Sequence, residues 1–100
     1  MKLHTLKLVT IISDDALTEN LIDDIKKLGA KGYTLEVAKG EGSHNTRTSE
    51  LEGENIKLET IVSETVADKI MILLAEKYFE QYGLIAYVQN IDVYRGEKFI

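Results

Sequence analysis

Two stretches of this chain repeat their apolar residues at a helical period, and runs of β-branched residues flank each one. In residues 13–32, Leu17, Leu21, Ile25 and Leu28 recur at spacings of four, four and three, which is one stripe of a 3.6-residue helix. Ser13 is placed to cap this helix, Asp14 and Asp15 sit at its positive end, and Lys26 and Lys27 at its negative end. Gly29 can close it. In residues 63–83, Val66, Ile70, Leu74 and Tyr78 form a second stripe, with Ser63 as cap and Gly83 at the exit.

Strand patterns fill the spaces between. Residues 5–12 (TLKLVTII) are β-branched and apolar on both faces, residues 32–38 read as a second strand, and residues 55–62 alternate Ile56, Leu58 and Val62 with Lys57 and Glu59. Residues 84–94 read as a last, long strand. The order βαββαβ predicts an α+β, ferredoxin-like domain: a four-stranded antiparallel sheet with two helices on one face, spanning residues 1–100 as a single domain. Helices cover one sheet face only. Val9 and Ile11 alternate with Leu8 and Ile12 on the first strand, so the other face needs cover too. An oligomer is expected, since an exposed face would be a large apolar patch.

The formal charge of −5 argues against broad nucleic-acid binding, which depends on Lys and Arg neutralising phosphates. The chain has no cysteine, hence no disulfide framework, thiolate nucleophile or Cys-ligated metal. Its two histidines, His4 and His44, are too far apart in sequence to suggest a zinc cluster. No metal site is expected. The start of the chain lacks a signal-peptide core, and no segment approaches the roughly 20 apolar residues of a membrane span, so a soluble, cytoplasmic protein is expected.

One segment belongs to neither pattern. Residues 39–55 (KGEGSHNTRTSELEGEN) carry three glycines and a single apolar residue, Leu51. Compact domains join their elements with about 4–6 residues, and loops beyond about 12–15 are typically functional or disordered. Gly40 and Gly42 can turn successive N–H groups into one concavity, Ser43, Asn45 and Thr46 add side-chain donors, and Arg47 offers a planar cation suited to phosphate. The spacing is not that of a Walker A loop. A phosphate cradle and a solvated loop both fit it. Glu59, between apolar neighbours on a strand, reads as a solvated or salt-bridged position beside Lys57. The aromatics of YFEQYG (residues 78–83) read as core. Asp14-Asp15 and Asp23-Asp24 read as a cap and a solvated face. No catalytic constellation emerges, and an enzyme is not expected.

Three motifs together carry a resemblance: Gly29-Ala-Lys-Gly-Tyr-Thr34, the Gly-x-Gly-Ser-x-Asn-x-Arg of residues 40–47, and Lys77-Tyr78-Phe79. Over residues 6–96 the chain resembles the PII-like signalling proteins. The likeness is greatest to the SbtB branch, which partners a sodium-dependent bicarbonate transporter, and a carboxysome-associated branch is its near neighbour. The resemblance implies a homotrimer and makes residues 39–54 the T-loop, the arm that contacts partner proteins. It implies adenine nucleotides as regulatory ligands, with no obligatory cofactor, in clefts between subunits. Gly40, Gly42, Ser43, Asn45 and Arg47 would hold phosphate. Thr34, Glu59 and Ile61 would face adenine or ribose, and Gly83, Leu84 and Ile85 would complete the cleft. Its partner would be the transporter, met at the cytoplasmic membrane face.

Three departures sharpen this. Glu41 and His44 stand where the transporter-partner branch often carries cations, so AMP or cyclic AMP is expected in preference to ATP. After VYRGEKFI (residues 93–100), where many members continue into a cysteine-containing extension, the redox-gated hydrolysis tied to that extension is not expected. The turn YGLIAY (residues 82–87) lacks the lysine-bearing glycine loop of nitrogen-regulatory PII proteins. Alternatives are a carboxysome-associated sensor of nucleotide and bicarbonate, and a slow nucleotide phosphohydrolase that orients water with Glu59 or Glu41.

Overall fold

The structure, a computed structural model, describes residues 2–40 and 54–100. Its elements are β1 (Leu3–Asp14), a 3-10 turn (Asp15–Leu17), α1 (Thr18–Leu28), β2 (Thr34–Ala38), β3 (Asn55–Val62), α2 (Glu64–Lys77), β4 (Ile85–Tyr94) and a C-terminal 3-10 turn (Gly96–Phe99). The four strands form one sheet in the order β2-β3-β1-β4, and every neighbouring pair is antiparallel. This is the expected ferredoxin-like architecture.

Strand periodicity decides which side chains meet the helices. Val9 and Ile11 on β1 lie beside Ile56, Leu58 and Val62 on β3, all on one sheet face. They share a core with Leu21 and Ile25 of α1 and Ala67, Ile70 and Leu74 of α2, so both helices pack against that face. Leu21, Leu58, Ile70 and Leu74 are completely buried.

β1 is longer than its apolar run. It is an inner strand, paired from Leu3 opposite Tyr94 on β4 to Asp14 opposite Asn55 on β3, and these ladders carry it past residues 5–12 at both ends. The start of α1 shifts accordingly. Ser13 is not the cap: it is buried within the strand, and its hydroxyl donates to the Asp14 carbonyl at 3.2 Å. Asp14 takes the capping role, its Oδ1 accepting from the Ala16 N–H at 2.9 Å. The 3-10 turn follows, and α1 begins only at Thr18.

The other helix boundaries follow local chemistry. Ser63 caps α2 as expected, its Oγ accepting from the Val66 N–H at 3.2 Å. α1 ends in a Schellman arrangement, with the Ala30 N–H reaching the Ile25 carbonyl at 2.9 Å and the Gly29 N–H reaching that of Lys26 at 3.1 Å. Gly29 has φ 122°, which a side chain would strain.

The second sheet face carries Leu8, Thr10 and Ile12 of β1, Ile61 of β3, and Ile85 and Tyr87 of β4. Ile85 is 50% and Tyr87 41% exposed, so an apolar surface remains uncovered in the single chain, as the two-faced first strand requires. One end of this face is covered. The C-terminal 3-10 turn packs on β1, where Gly96 lies against His4, and Leu6 is buried nearby.

Candidate functional site on the second sheet face

Register brings the sequence candidates of β2 and β3 side by side. Thr34 lies directly opposite Glu59, Glu59 opposite Thr10, and Thr10 opposite Tyr87, one row across the whole sheet on the face away from the helices. Ile61 follows two residues along β3, opposite Leu8, and Ile85 lies opposite Ile12 on the same face. Thr34, Glu59, Ile61 and Ile85 therefore share one surface.

Charge is arranged along this surface. Lys57 Nζ sits 3.8 Å from Glu59 Oε2 and 3.9 Å from Glu36 Oε1, a partly exposed cation between two carboxylates. The expected pairing of Glu59 with Lys57 is present. It leaves the Glu59 carboxylate with acceptor capacity, because one lysine contact uses one of about four lone-pair sites. The Thr10 hydroxyl, fully buried beside Glu59, has no hydrogen-bond partner among the described residues.

The other candidates are placed differently. Gly83 is exposed in the turn before β4, and Leu84 packs against the helix-side core. Gly40, just after β2, is exposed, and a Cβ built on it would meet nothing within 4 Å among the described residues. Gly42, Ser43, Asn45 and Arg47 lie outside the described residues, as do Glu41, His44 and Thr46, and with them residues 41–53 of the 39–54 loop.

A second constellation was not expected from the sequence. Asp24 is not on a solvated face: it is 8% exposed, in the interface between α1 and the end of α2. Its carboxylate accepts from the Tyr78 hydroxyl at 2.6 Å and from Lys77 Nζ at 2.9 and 3.1 Å. Burial alone would raise the Asp24 carboxyl. The hydrogen bonds from Tyr78 and Lys77, with the Lys77 charge, outweigh it and hold the group below its ordinary value. Burial, the bond to Asp24 and the Asp24 charge push the Tyr78 phenol well above the usual tyrosine range. A signal for Asp24 did exist, since it stands three residues after Leu21 and four before Leu28, on the apolar stripe itself. The aromatics divide: Tyr78 is core, whereas Phe79 and Tyr82 are 41% and 43% exposed, because α2 ends at Lys77 and the turn carries them outward.

Among the described residues no group of three or more His, Cys, Asp or Glu side chains is arranged to hold a metal ion, and no helix is long and apolar enough to cross a membrane. The site is thus a mixed surface of hydroxyls, two carboxylates that flank Lys57, and aliphatic side chains at a sheet face.

The model of the nitrogen regulatory protein P-II family matches residues 6–98. The chain is a P-II family protein. Among solved structures, a PII-like signalling protein of Thermus thermophilus is 53% identical over all of both chains, with a TM-score of 0.88. CPII of Thiomonas intermedia, bound to ADP and bicarbonate, is 29% identical over 99% of this P-II chain and 98% of its own, with a TM-score of 0.86. The same CPII bound to ADP, AMP and acetate superposes with a TM-score of 0.84. P-II proteins are in general signalling regulators rather than enzymes.

Proposed function

We propose that this P-II protein is a trimeric adenine-nucleotide sensor. Its nucleotide lies between adjacent subunits, with adenine and ribose against Thr34, Glu59 and Ile61 and with Gly83, Leu84 and Ile85 completing the cleft. Phosphate is held by Gly40, Gly42, Ser43, Asn45 and Arg47. The supporting observation is the row that sets Thr34 opposite Glu59 on a face left apolar and uncovered in the single chain. A carboxylate and a hydroxyl can bond ribose or adenine there, and aliphatic neighbours can pack on the base. CPII, which binds ADP and AMP, supports the choice of ligand.

Output follows from the loop. Phosphate contacts favour one arrangement of residues 39–54 over others, and the loop in that state docks on a partner protein at the membrane face. A ligand can act this way only through unequal affinity for the two loop states. As in the SbtB branch, the partner is a sodium-dependent bicarbonate transporter. A second reading, a carboxysome-associated sensor of nucleotide and bicarbonate together, is favoured by the CPII complex with ADP and bicarbonate.

Calorimetry with AMP, cyclic AMP, ADP and ATP, with and without bicarbonate, tests this. Binding of the monophosphates in preference to ATP is expected. Absence of heat with all four removes the sensor role, and nucleotide binding that requires bicarbonate favours the second reading. Light scattering on the eluting protein checks the trimer.

A further inference from the structure

Asp24 and Tyr78 join two helices at the point where the chain leaves α2. Lys77 is the last residue of α2 and Tyr78 its C-cap, with the Tyr78 N–H on the Leu74 carbonyl at 2.9 Å. The next turn is suspended from Tyr78. The Gln81 and Tyr82 N–H groups reach the Tyr78 carbonyl at 3.2 and 3.0 Å, and the Phe79 N–H reaches the Leu74 carbonyl at 3.0 Å. The Tyr82 ring lies 6.0 Å from that of Tyr78. Beyond it come Gly83, Leu84 and then Ile85 on the second sheet face.

We infer that Asp24 is a positioning residue: by holding the Tyr78 hydroxyl and the Lys77 ammonium it fixes turn 79–84, and through that turn it sets the wall that Gly83 and Ile85 contribute to the nucleotide cleft. This rests on the function proposed above.

Packing alone does not require a carboxylate here. A well-packed apolar residue of similar volume is often as stabilising as a buried ion pair, whereas a carboxylate with directed bonds fixes orientation. The three bonds to Asp24 come from two consecutive residues, so they constrain both the end of the helix and the direction in which the chain departs. The hydroxyl of Tyr78 is the sensitive part. Its ring belongs to the core and its oxygen to the lock.

Tyr78→Phe separates the two, keeping the ring and removing the oxygen. Amide hydrogen exchange on the unliganded variant is expected to speed up at least ten-fold at Gln81 and Tyr82, with the middle of α2 around Ile70 unchanged. Calorimetry is expected to show AMP affinity weakened three- to ten-fold. Asp24→Asn, which keeps an acceptor for the Tyr78 hydroxyl but loses the Lys77 charge pair, should fall between wild type and Tyr78→Phe. A core variant of similar melting temperature, Ile25→Val, should keep wild-type AMP affinity. Wild-type exchange at Gln81 and Tyr82 in Tyr78→Phe overturns the lock, and so does unchanged AMP affinity alongside fast exchange. An equal affinity loss in Ile25→Val reduces the role to general stability and also overturns it. If the wild-type protein binds no nucleotide, the functional reading fails and the role in binding fails with it, while the exchange result still decides whether the lock holds the turn.

Discussion

Gly96 lies so close to His4 that a Cβ on it would stand 2.6 Å from the His4 Cβ. This contact seats the C-terminal 3-10 turn on the end of the second sheet face, with Glu97 Oε1 3.9 Å from His4 Nδ1. Arg95, immediately before it, has φ 68°, a left-handed conformation that non-glycine residues adopt at a cost and keep only where their surroundings enforce it.

Gly96→Ala should therefore displace the turn. Since Gly96 itself does not have a positive φ, the effect is steric. The expected loss is about 1–3 kcal/mol of stability, the range for overpacking a tight site. Denaturant unfolding measures it, and altered amide resonances confined to β1, β4 and the C-terminal turn would locate it. A variant as stable as wild type, with unshifted His4 resonances, would contradict the close approach.

Gly29→Ala tests the helix side of the sheet, where Gly29 lies against Val66 of α2. The backbone there has φ 122°, and a Cβ would lie 3.1 Å from Val66 Cγ2. Conformational strain and the pressure on α2 act in the same direction. A loss of about 1–2 kcal/mol is expected, read by the same unfolding experiment.

The Asp24–Tyr78 lock gives stability a defined pH dependence. The Asp24 carboxyl is lowered on folding, so its contribution is present above the unfolded value of about 3.9 and fades as pH falls through the lower folded value. The Tyr78 phenol is raised, so its contribution is complete below about pH 10 and fades as pH rises toward the folded value. Tyr78→Phe should cost about 1–3 kcal/mol near neutral pH, as expected for a buried hydrogen bond to a charged group. It should also remove the alkaline component expected of wild type above about pH 10. Melting curves of both proteins, from about pH 3 to about pH 11 so as to bracket both ordinary values, would check this.

Glu59→Gln separates stability from ligand binding. The carboxylate is partly exposed and its lysine contact is long, at 3.8 Å, so folding stability should change by no more than about 0.5 kcal/mol. AMP affinity should drop about ten-fold if the carboxylate accepts from the nucleotide, in line with the loss of a hydrogen bond to a charged group. Calorimetry paired with thermal melting gives both quantities. Equal AMP affinity in the two proteins would take Glu59 out of the site.

Arg47→Ala should weaken AMP, ADP and ATP but leave the assembly state unchanged if, as proposed, the guanidinium binds phosphate. Adenosine, which has no phosphate, should bind both proteins equally. A variant that loses adenosine as well would place Arg47 elsewhere in the cleft.

Much of this is legible in the chain itself. The stripe Leu17–Leu21–Ile25, the cap at Ser63, the glycine that ends α1 and the alternation of β3 all depend on neighbours within one or two turns, and a sequence carries that information directly. Where the sequence misleads, a partner distant in the chain has intervened. Ser13 loses its capping role because the β1–β3 ladder runs on through Asp14. Asp24 reads as a solvated acid although it stands on the apolar stripe, because its two donors lie 53 and 54 residues further along. The burial of Asp24, the row Thr34–Glu59–Thr10–Tyr87 and the seat of Gly96 on His4 exist only once helices pack and strands register. A period fixes which residues share a face of one element; only the docking of elements fixes what that face meets, and hence whether a charge there is hydrated or held.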